Sequence, residues 1–84
     1  MGYRREVPAK LGPKLKAIRE HFGLTGEELI ERLNRPSMRL SRSSISKYEQ
    51  GLREPSTIVL LQYARLAKVS MEVLADDKLD LQLK

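Results

Sequence analysis

The chain has 84 residues, enough for one small domain with a single modest core and no second folded unit. Cysteine is absent, which removes disulfides and thiolate metal sites as supports for so small a core, and a cytosolic residence is expected. Sixteen basic against eleven acidic residues leave a net charge of +5, a balance that suits nucleic acid, acidic lipid or an acidic protein as partner.

Residues 1–9 carry Arg4 and Arg5 without a helical period and read as a basic N-terminal arm. Lys10 to Phe22 is predicted as the first helix, because Leu11, Leu15, Ile18 and Phe22 recur at helical spacing. Pro13 is tolerable only within its first turn. Gly23 is placed to end the helix in the left-handed conformation, and His21 reads as a surface or capping residue, since a lone imidazole makes a poor metal or catalytic site.

Thr25, followed three residues later by Glu28, has the form of a capping box. It opens a second helix through Leu29, Ile30 and Leu33, with Glu27 and Glu28 suited to its N-terminus and Asn34 expected at its end. Arg35 to Leu40 reads as a polar loop broken by Pro36, with Leu40 anchoring it in the core. Ser41 is placed to cap a third helix that Gly51 closes. On that helix Ile45 and Tyr48, at i and i+3, can face a core while Arg42, Ser43, Ser46 and Lys47 face outward.

Leu52 to Pro55 forms a turn, and Ser56 caps a fourth helix. Its Ile58, Leu61, Leu66 and Val69, with Val59, Leu60 and Ala64, are apolar over much of the circumference, so this helix is expected to sit centrally. Ser70 caps a last short helix through Val73 and Leu74. Residues 76–84 alternate apolar and polar at Leu79, Leu81 and Leu83, a strand period that predicts an extended tail placed to pair across a dimer or to dock near Tyr3 and Val7. No stretch of the chain is apolar for the length a bilayer demands, so no membrane association is expected.

Positive charge is concentrated around the third helix. Residues 32–53 hold Arg32, Arg35, Arg39, Arg42, Lys47 and Arg53 against Glu49 alone, whereas Glu72, Asp76, Asp77 and Asp80 make the C-terminal end acidic. The end bearing those acids should face away from a phosphate backbone.

The run Leu15-Lys16-Ala17-Ile18-Arg19-Glu20, then Leu24-Thr25, Glu28-Leu29, Ser41 through Glu49, Gly51, Pro55 and Leu66-Ala67 resembles the Cro/cI-type helix-turn-helix family of phage repressors and xenobiotic-response-element regulators. The resemblance covers residues 10–75, with Ile45 to Gly51 its most specific part. It implies an all-α, five-helix lambda-repressor-like domain, usually a homodimer, that lays its third helix, about residues 42–50, in the major groove of double-stranded DNA. It further implies base contacts from Arg42, Ser43 and Lys47, with Ser46 on the same edge. Phosphate contacts fall to Thr25, Ser44, Gln50 and Arg53, and a structural ion pair to Arg19 and Glu49. Two departures stand out. Gly26 occupies a place where many members carry a phosphate-holding glutamine, and the turn between helices 2 and 3 is longer than the family's about four residues. Arg35 and Arg39 in the lengthened turn are expected to add phosphate contacts.

The side-chain chemistry agrees with that placement, since arginine bonds two acceptors on guanine, lysine reaches the same edge, and serine bonds many partners. The reading is therefore a sequence-specific DNA-binding regulator, acting as a repressor, in a bacterial or phage-type cytoplasm and associated with the nucleoid. One alternative is an antitoxin-type autoregulator with a protein partner on its C-terminal tail. Another is a protein-interaction or coactivator module that keeps the fold without reading DNA, which an acidic or apolar outer edge on the third helix would favour. A single-strand RNA reader would need exposed aromatics, yet Phe22, Tyr48 and Tyr63 sit at core-like spacings. No paired carboxylates, nucleophile-base set or ligand cluster is recognisable, so neither catalysis nor a cofactor or metal is expected.

Overall fold

The computed structural model describes residues 9–33 and 40–83. Among them lie five helices, α1 (Leu11–His21), α2 (Gly26–Arg32), α3 (Arg42–Glu49), α4 (Thr57–Ala67) and α5 (Met71–Ala75). Short polar side chains set where four of them start. The hydroxyls of Thr25, Ser41, Ser56 and Ser70 accept from the backbone N–H groups of Glu28, Ser44, Val59 and Val73, each satisfying a donor that the first helical turn leaves without a partner. At Thr25 the arrangement is a full capping box, because the Glu28 carboxylate accepts the Thr25 N–H in return. Those bonds also hold the Glu28 carboxyl below its usual carboxylate range.

Left-handed residues set where helices stop. Gly23 (φ 64°) and Gly51 (φ 75°) follow the C-caps of α1 and α3, and the next residue's N–H returns to the helix, from Leu24 to Arg19 O and from Leu52 to Lys47 O. Both are six-to-one closures that only a residue tolerant of positive φ supports cheaply. The same closure ends α4, where Val69 N–H reaches Ala64 O, but there Lys68 adopts φ 57°. α1 alone starts without a local cap. The Asp77 carboxylate, sixty-eight residues from Ala9, accepts the N–H groups of Ala9 and Lys10, each at 2.9 Å. Chiefly through the Lys10 bond, these contacts hold the Asp77 carboxyl below its usual range.

The core is a single cluster. Leu11, Leu15 and Ile18 from α1 meet Leu29 and Leu33 around α2, Ile45 and Tyr48 from α3, Val59, Leu60, Tyr63, Ala64 and Ala67 from α4, and Leu74 from α5. Burying each such leucine or isoleucine contributes about 1.5–3 kcal/mol against the entropy of ordering the chain. α1 packs on α3, α4 and α5, which makes it the central element in the place expected for α4. α4 buries the stripe Leu60, Tyr63, Ala64 and Ala67 with Val59; Ile58 remains 53% exposed, and Leu61, Leu66 and Val69 lie at the margin. A helix apolar around most of its circumference does not by itself select which stripe faces inward. Phe22 is a second correction. It is exposed at the C-cap of α1, edge-on to His21 with ring centroids 4.9 Å apart, because the turn at Gly23 carries Leu24 into the core in its place.

Lys14 is buried despite its charge. Its Nζ donates to the carbonyls of Val73 (2.6 Å) and Asp76 (2.9 Å), satisfying acceptors that the end of α5 leaves open. Beyond α5 the chain turns about Asp76, whose carboxylate accepts from Lys78 N–H. The tail then shows the predicted alternation as burial, with Leu79, Leu81 and Leu83 half-buried and Asp80 and Gln82 exposed. Leu81 and Leu83 pack against the core of the same chain, and no strand pairing occurs among the described residues. The N-terminal arm with Tyr3 and Val7, the expected helix end at Asn34, and the loop arginines Arg35 and Arg39 lie outside the described residues.

Candidate nucleic-acid interface

Three contacts fix α3. The first is hydrophobic, with Ile45 and Tyr48 buried on its inner edge. The second is steric. Gly12, in the first turn of α1, lies so close to the end of α3 that a Cβ placed there would stand 2.6 Å from Glu49 O and 3.1 Å from Tyr48 O. Only glycine permits that approach. The third is ionic: Arg19 Nε donates to Glu49 Oε2 at 2.7 Å and Nη2 to Oε1 at 3.0 Å, while Nη1 donates to Leu24 O at 3.1 Å. The two side chains are 24% and 10% exposed, so the bidentate pair is largely withdrawn from water, and the bond to Glu49 raises the Arg19 pKa further above its ordinary value. Arg19 thereby joins α1, the turn after it and α3. Tyr63 lies fully buried nearby in the core; burial pushes its phenol well above the usual tyrosine range, and its hydroxyl has no hydrogen-bond partner among the described residues.

With the inner edge held, the outer edge of α3 faces solvent. Arg42, Ser43, Ser46 and Lys47 are all exposed and recur at three- and four-residue spacing, which places them on one side of the helix. None of these four is acidic or large and apolar. Gln50 continues the edge and donates from Nε2 to Ser46 Oγ at 2.7 Å. Ser44 is half-buried with its hydroxyl 3.2 Å from that of Ser41, so it serves the start of the helix. Thr25 is exposed, but its hydroxyl is occupied in the capping box. Arg53 is exposed in the turn after α3.

The start of α2 adjoins that edge. Glu27 Oε1 lies 3.6 Å from Arg42 Nε, and a Cβ placed on Gly26 would meet Arg42 Cγ at 3.5 Å, an ordinary contact. Sequence reasoning singled out neither the Glu27–Arg42 pair nor the approach at Gly12. An isolated glycine inside a helical pattern was the available signal for Gly12; the pair spans the α2–α3 connection and has no local signature. A shallow open depression lined by Gly26, Arg42, Ser43, Ser46 and the Arg19–Glu49 pair runs between the two helices. Among the described residues no three His, Asp or Glu side chains are grouped as a metal site, and no helix is long and apolar enough to cross a membrane.

A family model described as helix-turn-helix matches residues 15–74, nearly the whole of the five-helix unit. The HTH-type transcriptional regulator ImmR of Bacillus subtilis strain 168 is 36% identical to this chain over 64 residues, covering 76% of this chain and 46% of that protein. The chain thus spans less than half the length of that relative. No solved structure matches it to a comparable standard.

Proposed function

This chain belongs to the Cro/cI-type helix-turn-helix family, and from that premise we propose that it binds a specific double-stranded DNA site and represses transcription by occupying it. The observation that carries the reading is a helix held on one edge by buried apolar groups, an ion pair and a glycine contact, with an uninterrupted cationic and hydroxyl edge on the other. Arg42 and Lys47 read base edges, with Ser43 and Ser46 between them; Arg53, Gln50, Thr25 and the loop arginines Arg35 and Arg39 meet phosphate. Ser44 sits at the helix start, where its place favours backbone over bases. Residues 10–75 form the binding unit, flanked by an arm at 1–9 and a tail at 76–84. A homodimer sets two such helices in successive major grooves about 34 Å apart on a palindrome. The interaction-module alternative has no support from the outer edge of α3, whose four readers are cationic or hydroxylic.

Selection of bound sequences from random duplex, followed by competition binding, tests this. Arg42→Ala and Lys47→Ala should each weaken the selected site by about 1–3 kcal/mol more than random duplex, whereas Arg53→Ala should weaken both alike and flatten the salt dependence. Equal losses on selected and random duplex for the first two variants would reduce them to phosphate clamps and sink the base-reading assignment. Half-site spacing in the selected sequences, with sedimentation of the complex, reports the dimer.

A further inference from the structure

Arg42 is the first residue of α3 and, among the described residues, the one outward reader whose side chain meets another helix. Its stem passes over Gly26, with Cβ, Cγ and Cδ between 3.5 and 4.0 Å of where a Cβ on that glycine would stand, and its Nε lies 3.6 Å from Glu27 Oε1. Glu27 approaches the planar fork at Nε, which leaves the end edge formed by Nη1–H and Nη2–H to offer the two parallel N–H bonds that guanine O6 and N7 accept. The same carboxylate disfavours the alternative use of Arg42. A phosphate bound by this guanidinium would approach Glu27, and two anions that close repel.

We propose that Glu27 is a positioning residue that commits Arg42 to reading guanine and keeps it from clamping the phosphate backbone. The inference rests on the DNA-binding reading above and deepens it. Both side chains are more than two-thirds exposed in the free protein, so the pair is weak there. Its effect appears when the groove excludes water, because the carboxylate then restrains a group that would otherwise pivot about a long flexible stem. Glu27 therefore contributes discrimination while it lowers general affinity.

The test compares wild type, Glu27→Gln, Arg42→Ala and the double variant on the selected duplex, on duplexes in which each guanine is replaced in turn, and on random duplex. Glu27→Gln keeps the size and the α2 register while removing the charge. The expected result is tighter binding of Glu27→Gln to random duplex, with about a two- to fivefold loss of preference at one guanine, the range open to an ion pair at a surface. That loss should vanish in the Arg42→Ala background, since a residue acting through Arg42 has nothing left to direct. Unchanged guanine preference in Glu27→Gln, or a loss that survives Arg42→Ala, overturns the proposal while leaving the DNA-binding reading intact. A wild type without any preference among duplexes overturns both. An unfolded variant would show in the far-ultraviolet circular dichroism, and Glu27→Asp, with the charge kept on a shorter stem, then serves as second variant and should show an intermediate preference.

Discussion

Replacing Gly12 by alanine gives a prediction whose sign separates two effects. Intrinsic propensity favours alanine over glycine in a helix interior by up to about 1 kcal/mol, so a helix standing free would be stabilised. Here the added methyl carbon would stand 2.6 Å from Glu49 O, about 0.8 Å inside the 3.4 Å where ordinary contacts begin. The opposing atoms are backbone at the end of α3, so no side-chain rotation relieves the overlap. α1 and α3 must separate, loosening Ile45 and Tyr48 against Leu11 and Leu15 and lengthening the Arg19–Glu49 bonds. Overpacking costs about 1–3 kcal/mol, and an overlap this deep against backbone belongs at the upper end, about 2–3 kcal/mol, which exceeds the propensity gain. For a domain of this size the net loss corresponds to a melting temperature lower by about 5–15 °C. Urea denaturation followed by circular dichroism at neutral pH measures it, with the m-value checked for constancy so that the midpoint shift reports stability. A variant as stable as wild type or more so would refute the close-approach argument, and with it the claim that glycine sets the distance between α1 and α3.

Four further substitutions test other links. Glu49→Gln should cost about 1–3 kcal/mol in denaturation, below the loss for a fully buried pair because the Arg19 side chain keeps 24% exposure, and it should weaken DNA binding beyond that loss by freeing α3. Lys68→Gly relieves a lysine at φ 57° and should raise stability by about 0.5–1 kcal/mol, which a melting scan would detect as a higher midpoint. Tyr63→Phe removes a buried hydroxyl without a partner among the described residues, so it should fall within about 1 kcal/mol of wild type or above it; a large loss would reveal a partner for that oxygen. Asp77→Ala tests the remote cap of α1 through pH. Because the folded carboxyl titrates below its ordinary 3.8, its stabilisation is complete above that value and is lost as pH falls through the lower folded one. The deficit of the variant should therefore be equal at pH 7 and pH 5 and shrink at pH 3, where Glu28, depressed in the same sense, still gives both proteins an acid slope.

Four helix starts and the stops of α1 and α3 were legible in the chain because caps and left-handed closures act over three to six residues. Thr25 with Glu28, Ser41, Ser56, Ser70, Gly23 and Gly51 announce themselves by residue type at fixed offsets, and each does in the structure what those offsets require. The exposed edge of α3 was equally legible, since a helical period divides Ile45 and Tyr48 from Arg42, Ser43, Ser46 and Lys47. Tertiary structure alone decided the rest: the stripe of α4 that turns inward, the burial of Lys14 on the end of α5, the Asp77 cap on α1, the contact at Gly12 and the tether of Arg42 to Glu27. These pairings join residues distant in the chain, as many as sixty-eight apart for Ala9 and Asp77, and no residue type at a fixed offset signals them. They arise only when helices pack and leave each acceptor, donor or gap facing one particular neighbour, which is why the edge that meets solvent was readable in advance and the contacts that hold it in place were not.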